Sequence, residues 1–422
     1  MQIDEDRLRE DMLANGSFGR VETEEGHGRT VLLGSDADRE ARERLVAILE
    51  SLDIDVRIDA VGNVAGRWAP DGCDPDRAPV AMGSHLDSVP EGGIFDGPLG
   101  VYAAVEAVRA MQDAGIEPER PIEVVSFTEE EGQRFDVGLL GSSVATGERS
   151  VSEALSLADD AGTTLRDHLE GIGFHGEGLV DASEWDAWLE LHVEQATQLE
   201  RAGVPVGVVS AITGITNCVV EIEGEANHAG GTRMDERTDA LVAASAFAED
   251  VERIAREVSV TESEAAVATV GSLSVAPNAR NVVPGSVRLT IDVRDVDRAV
   301  MDEVVDKARS SLARIDRERG TESTLTRYRT VLPTPMSERC RAALTDAADR
   351  HGIEHLELPS GGGHDTMAVA SVTDAGLLFA PSKDGISHSP REWTDWEDCA
   401  RAAQVLADAA ARLAGATPDD GA

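Results

Sequence analysis

Four short apolar runs, each leading to a turn or loop that carries a histidine or a carboxylate, constrain this chain more than any other feature. Ala78–Met82 leads into the Gly-rich turn Gly83–Gly100, which holds His85, Asp87 and Asp96. Ile122–Phe127 runs into Thr128 and three successive acids, Glu129, Glu130 and Glu131. Trp188–Leu191 leads to His192, Glu194 and Gln195, and Gly376–Ala380 delivers a loop that reaches His388. Runs this short, bounded by turn residues, read as buried strands, and in an open α/β sheet ligands gather where the strands end. Carboxylates crowded at such an end must be compensated by protons or cations. A His-x-Asp pair there lets Asp87 accept a hydrogen bond from the ring nitrogen of His85 that faces away from a metal.

Charge excludes several partners. The chain has 422 residues with 80 acidic against 38 basic side chains, a formal net charge of −42. Such a surface repels nucleic acid and anionic membranes. Lys307 and Lys383 are the only lysines, and the acids are spread along the whole chain, which points to a halophilic cytoplasm. At molar salt the Debye length falls to about 3 Å and screens the self-repulsion. The N-terminus does not resemble a signal peptide, no apolar run is long enough to cross a bilayer, and Cys73, Cys218, Cys340 and Cys399 form no close pair. A soluble cytoplasmic protein with inert thiols is expected.

Length favours two domains. The first thirty residues, polar and Gly-rich, are expected to wrap the surface, and a helix is expected over 36–52 with Ser35 or Asp36 as its cap. Residues 150–187 are read as amphipathic helical material in which His168 and His175 are surface or structural. From 213 the pattern changes to strand, helix, two strands, helix and strand, the order of a ferredoxin-like sandwich. The expectation is a larger catalytic α/β domain, residues 1–212 and 331–422, carrying an inserted smaller ferredoxin-like α+β lid or dimerisation domain, 213–330. Helices follow over 337–352 and 395–413, and the Gly-rich turn 360–367 presents His364 and Asp365 before a Gly/Pro/Asp tail.

His85, Asp96, Glu131, His192 and His388 thus stand at strand ends or in the loops after them. Their number and chemistry suit two divalent cations about 3.5–4 Å apart sharing one carboxylate. Imidazole with carboxylate favours zinc, with manganese, cobalt or nickel as alternatives.

Eight motifs in order carry a resemblance that covers nearly the whole chain. They are Gly-Ser-His85-Leu-Asp87, Gly-Gly-Ile-Phe-Asp96-Gly, Glu130-Glu131-Gly, Leu-His192-Val-Glu-Gln195, Asn227-His228-Ala-Gly, Asn281-Val-Val-Pro-Gly with Asp292-Val-Arg294, Ser-Gly-Gly-Gly-His364-Asp365 and Ile-Ser-His388-Ser-Pro. The chain resembles the dinuclear-metal amidohydrolases that include N-carbamoyl-L-amino-acid hydrolase, allantoate amidohydrolase and β-ureidopropionase, within the aminoacylase and carboxypeptidase clan. The resemblance implies His85, Asp96 and His192 on one metal and Asp96, Glu131 and His388 on the other. It implies Glu130 as general base and acid, Asp87 as the residue orienting His85, and Gln195, His228, Asn281, Arg294 and His364 as substrate-binding residues, with His228 also donating to the oxyanion. It further implies a homodimer joined through the inserted domain, whose closure near 213 and 330 completes the site.

The expected reaction is hydrolysis of a linear C–N amide in an N-carbamoyl-L-amino acid or related ureido acid, such as allantoate or N-carbamoyl-β-alanine. The alternative is an aminoacylase or dipeptidase acting on N-acyl amino acids. Ala196 and Arg233 replace the family's usual glycine and proline at those positions, and Arg233 adds a cation suited to a longer or more anionic substrate.

Overall fold

The computed structural model describes residues 1–416, and the tail expected beyond the last helix lies at 417–422, outside the described residues. Two compact units emerge, one made of Met1–Ser210 with Met336–Ala422 and the other of Ala211–Pro335.

In the first unit the sheet runs Asp55–Ile58, Val64–Trp68, Ile122–Phe127, Val80–His85, Ala187–Val193, Ala375–Ala380, Val206–Ile212. Neighbouring strands among the middle four pair in parallel. The strands flanking them are antiparallel. All four middle strands are buried along their length, as expected of short apolar runs covered on both faces. Their side chains alternate between two cores. Val80, Met82, Val124, Leu189 and Leu191 enter one, and Ala81, Val125, Phe127 and Trp188 the other.

The first of these cores rests on two alanine-rich helices, Pro98–Asp113 and Trp396–Leu413, which pack against each other and the sheet. Aromatic residues are only 3% of the chain, so close approach of small side chains replaces bulk. Ala103, Ala104, Ala107 and Ala110 on one helix and Ala402, Ala403, Ala407 and Ala410 on the other are at most 1% exposed.

The N-terminus differs from the expected surface wrap. Glu5–Asn15 is a helix capped by Asp4, whose side chain accepts from Arg7 N, and it buries Leu8 and Met12 against the core. Val31 and Leu33 are fully buried as well. The helix Asp36–Ser51 is capped by Ser35, which accepts from Asp38 N. Strands Val206–Ile212 and His355–Ser360, absent from the sequence reading, also belong to the fold.

The second unit is a four-stranded antiparallel sheet in the order Glu322–Val331, Gly214–Glu223, Ser286–Asp295, Val267–Ala276. Helices Ala240–Thr261 and Arg298–Arg319 pack on it through Phe247, Val251, Val304 and Leu312 against Val220, Ile222, Leu289 and Ile291. This is the ferredoxin-like arrangement.

Candidate metal centre

Strand register assembles the site. Val80–His85 pairs with Ile122–Phe127 so that His85 stands opposite Phe127, two residues before the acidic run. His192 stands opposite Phe379, just before the loop that reaches His388. Between Val80–His85 and Ala187–Val193 the pairing runs to Gly83 and Glu190, short of both histidines. The two rings then face each other with centroids 5.8 Å apart. Gly97, at φ +82°, lies flat against the His85 ring, and a Cβ there would fall 2.4 Å from it.

Asp96 is the common member. Its Oδ1 lies 3.2 Å from Nε2 of His192 and 3.6 Å from Nε2 of His85, while Oδ2 lies 3.4 Å from Nε2 of His388. Glu131 Oε2 is 3.6 Å from that same His388 nitrogen. Two sets of ligand atoms result, His85–Asp96–His192 and Asp96–Glu131–His388, each with its atoms within 4.8 Å of one another. Glu130 Oε2 sits 3.7 Å from His85 Nε2.

The donor set fits cations. Nε2 of His85 and Oε1 of Glu131 are buried without a hydrogen-bond partner among the described residues, and a bare polar atom in such a place calls for a ligand. Titration behaviour agrees. Burial pushes Asp96 up, but His192, His388 and His85 outweigh it and hold the carboxyl well below its usual range. His388 is raised to about 9, chiefly by its hydrogen bond to Asp96, and burial lifts Glu131 to about 7. Protons on the imidazoles stand where cations would otherwise balance the carboxylates.

The three consecutive glutamates part company. Glu129, in a left-handed conformation at φ +54°, turns its Oε1 back to accept from Arg134 N, and burial raises its carboxyl to about 8. Glu130 faces His85 and Glu131 faces His388. Burial lifts Glu130 well above the carboxylate range, reinforced by Asp365, Glu131 and Asp87 and opposed by His85. Gln195 and His388 are left-handed too, at φ +57° and +54°. Such strain, of order 1 kcal/mol or more per residue, gathers at functional sites.

Asp87 does more than its spacing implied. The nearest partner of His85 Nδ1 is the Asp87 main-chain oxygen at 3.2 Å, with the carboxylate at 3.5 Å. That carboxylate also accepts from the backbone N–H of Glu130 at 3.2 Å and of Glu131 at 3.1 Å, so one side chain ties the first ligand loop to the second.

Among the expected substrate residues, Gln195 donates from Nε2 to Asp96 Oδ2 at 2.8 Å. His364 is buried edge-on to His192, with ring centroids 4.4 Å apart, and its Nε2 lies 3.1 Å from Ser360 Oγ. Burial drives its pKa well below the usual value, so the ring is neutral. His228, Asn281 and Arg294 lie in the second unit. There the backbone N–H groups of Gly230 and Gly231 donate to His228 Nδ1, Asn281 O accepts from Ala229 N, and Arg294 Nε donates to Asp292 at 2.9 Å. Arg233 is exposed and bonded to Asp235, so its charge is already paired locally.

Sequence reasoning missed two supports. Glu392, 1% exposed, accepts through Oε1 from the N–H groups of Phe95 and Asp96 and through Oε2 from Ser387, so it grips both the Asp96 and His388 loops. Glu190, on the strand before His192, accepts from Ser84, Thr366 N and Thr366 Oγ1. Glu190 lies within an apolar run, where a buried acid is itself a signal. Glu392 has no such mark.

Residues 81–412 match the model of peptidase family M20/M25/M40. The chain belongs to this family. It is 38% identical to an N-carbamoyl-L-amino acid amidohydrolase of Geobacillus stearothermophilus, over 92% of this chain and 94% of that one. It is 33% identical to an allantoate amidohydrolase of Bacillus subtilis, over 92% and 93%. A solved hydantoinase/carbamoylase family amidase from Burkholderia multivorans superposes with a TM-score of 0.91 at 36% identity, covering 98% of each chain. Like the rest of its family, this M20 chain is a hydrolase, and its candidate ligand groups are those of a metal-dependent one. No helix among the described residues is long and apolar enough to cross a membrane.

Proposed function

We propose that the protein hydrolyses the carbamoyl C–N bond of an N-carbamoyl-L-amino acid or a related ureido acid, such as allantoate or N-carbamoyl-β-alanine, using two divalent cations. The observation that carries the reading is the shared carboxylate. Asp96 offers one oxygen to His85 and His192 and the other to His388, with Glu130 beside the first set. His85, Asp96 and His192 would hold one cation, and Asp96, Glu131 and His388 the other. Zinc suits this donor set best, and manganese, cobalt or nickel would also fit. When bound, such cations supply Lewis acidity and make water acidic near neutral pH.

The chain's own groups do the rest. Glu130 takes the proton from the attacking water and returns it to the departing nitrogen; burial alone favours its protonated form, and cations beside it would favour the ionised form that the first step needs. Asp87 fixes Glu130 through its backbone N–H. Neutral His364 and Gln195 are the polar groups beside the ligands that can meet substrate. His228, Asn281 and Arg294 are assigned to substrate by the family resemblance, with Arg294 suited to grip a carboxylate through its forked donors.

A homodimer through the second unit is supported by exposed apolar side chains on its outer strands, Val267, Leu273 and Tyr328. Ammonia release from allantoate, N-carbamoyl-β-alanine and several N-carbamoyl-L-amino acids, in high salt with added manganese or zinc, tests the proposal. Turnover of N-acetyl amino acids or dipeptides with no action on any ureido acid would establish the aminoacylase or dipeptidase reading instead.

A further inference from the structure

Residues 26–31, from the segment whose sequence promised only a surface wrap, run between two ligand-bearing loops. His27 N donates to Pro390 O at 2.7 Å, two residues beyond His388, and the His27 ring stacks on Trp393. A Cβ on Gly26 would fall 1.8 Å from that Pro390 oxygen. Arg29 N donates to Gly92 O at 3.0 Å, and Ser88 N and Val31 O close a second bond at 3.0 Å. Val31 N donates to Ser88 Oγ at 3.0 Å, and Glu91 N to Thr30 Oγ1 at 2.8 Å.

The side chain of Arg29 goes furthest in. It is 0% exposed, yet among the described residues it hydrogen-bonds no carboxylate. Nε donates to Gly93 O at 3.1 Å, and Nη2 donates to Leu86 O at 2.9 Å and Asp87 O at 3.3 Å. Nη1 has no hydrogen-bond partner among the described residues. The charges of Glu392, Asp87 and Asp96 are near enough to stabilise the guanidinium against its burial. Burying a charge is costly, more so than burying an apolar side chain would be if the loop needed only filling. The decisive detail is the Asp87 carbonyl, which accepts from Arg29 and is also the nearest partner of His85 Nδ1. Whatever fixes that oxygen fixes the ring whose Nε2 faces Asp96.

We propose that Arg29 is a positioning residue of the metal centre, holding from the N-terminal segment the carbonyl that orients His85 and the loop that carries Asp96. The inference rests on the two-cation reading above. The Arg29 side chain donates to main-chain oxygens and not to the side-chain atoms that would hold a cation. It acts through the main chain on both ends of the 85–96 loop, and its charge offsets part of the carboxylate excess there.

Cobalt(II) titration of metal-free protein, followed by the visible absorption of the bound ion and by competition with a chromophoric chelator, tests this without any turnover. Arg29→Met should bind the more weakly held of the two ions about 10- to 100-fold less tightly than wild type, with an altered cobalt spectrum. Arg29→Lys, which keeps the charge but not the fork, should fall between the two. A folded Arg29→Met protein with wild-type affinity and spectrum overturns the proposal. If that variant does not fold, Arg29→Lys decides the matter alone: cobalt binding weaker than wild type supports the proposal, and unchanged binding overturns it. Wild-type protein that binds no cobalt at all would reject the two-cation reading itself, a result distinct from either variant outcome.

Discussion

Replacing Asp87 by asparagine separates two ways in which this residue could serve the site. If Asp87 only steadied His85, the variant would bind metal 10- to 100-fold more weakly, roughly the loss typical of such supporting groups, and excess metal would restore turnover. The structure says otherwise, because both carboxylate oxygens are occupied by the N–H groups of Glu130 and Glu131 at 3.2 and 3.1 Å. Asparagine keeps one acceptor and turns an NH2 group toward the other N–H. One charge-assisted bond is lost, about 1.5–3 kcal/mol, and a buried donor is left bare at about 1–3 kcal/mol. The Glu130 backbone must then shift. A displacement of about 1 Å at a catalytic group costs on the order of 100-fold in rate. Ammonia release assayed under saturating metal should therefore show kcat reduced about 100-fold with KM little changed, and melting should occur at lower temperature. Recovery of wild-type kcat when metal is added would refute the reasoning, since Asp87 would then act through His85 alone.

Other consequences follow from the same geometry. Glu130→Gln should retain both cations and lose about 100- to 10,000-fold in turnover, the usual contribution of a positioned proton shuttle, and metal analysis beside the assay checks both halves. Cation binding should release protons, because metal-free His388 holds its proton up to about pH 9 and Glu131 up to about pH 7. Affinity should therefore weaken as pH falls through each of these values, and calorimetry in buffers of different ionisation enthalpy will reveal the released protons; a flat profile contradicts the ligand assignment. With a net charge of −42, raising salt from about 0.1 M to molar levels should raise the melting temperature, as screening contracts to about 3 Å. A melting curve indifferent to salt would show that self-repulsion is not what limits stability.

The central sheet is legible in the sequence because each middle strand is a short apolar run closed by turn residues, and because the side chains just after the runs are ones that apolar surroundings tolerate poorly. His85, Glu131 and His192 follow directly from that pattern. The N-terminal helix was hidden by its composition. Leu8 and Met12 are the residues it buries in the core, set among acids and arginines, although Asp4 as a cap and the four-residue spacing were available as signals. Val206–Ile212 lacks strict alternation, and in His355–Ser360 the alternation covers only Leu356 and Leu358 before Pro359 breaks it. The supports of the site were harder still. Arg29 and Glu392 work through backbone groups of loops far away in sequence, and no local pattern records such a contact. The separate directions of Glu129, Glu130 and Glu131 likewise depend on a left-handed residue that nothing in a run of identical acids announces.

Counting cations tests the account most directly. Equilibrium dialysis of wild type, Asp96→Ala and His85→Ala against manganese or zinc, with metal per chain measured on each, should give two for wild type. Neither cation should remain tightly bound in Asp96→Ala, whose carboxylate both sets share, and one should persist in His85→Ala. A wild-type protein that is active with one cation or none, or an Asp96→Ala variant that retains both, would contradict the shared-carboxylate centre.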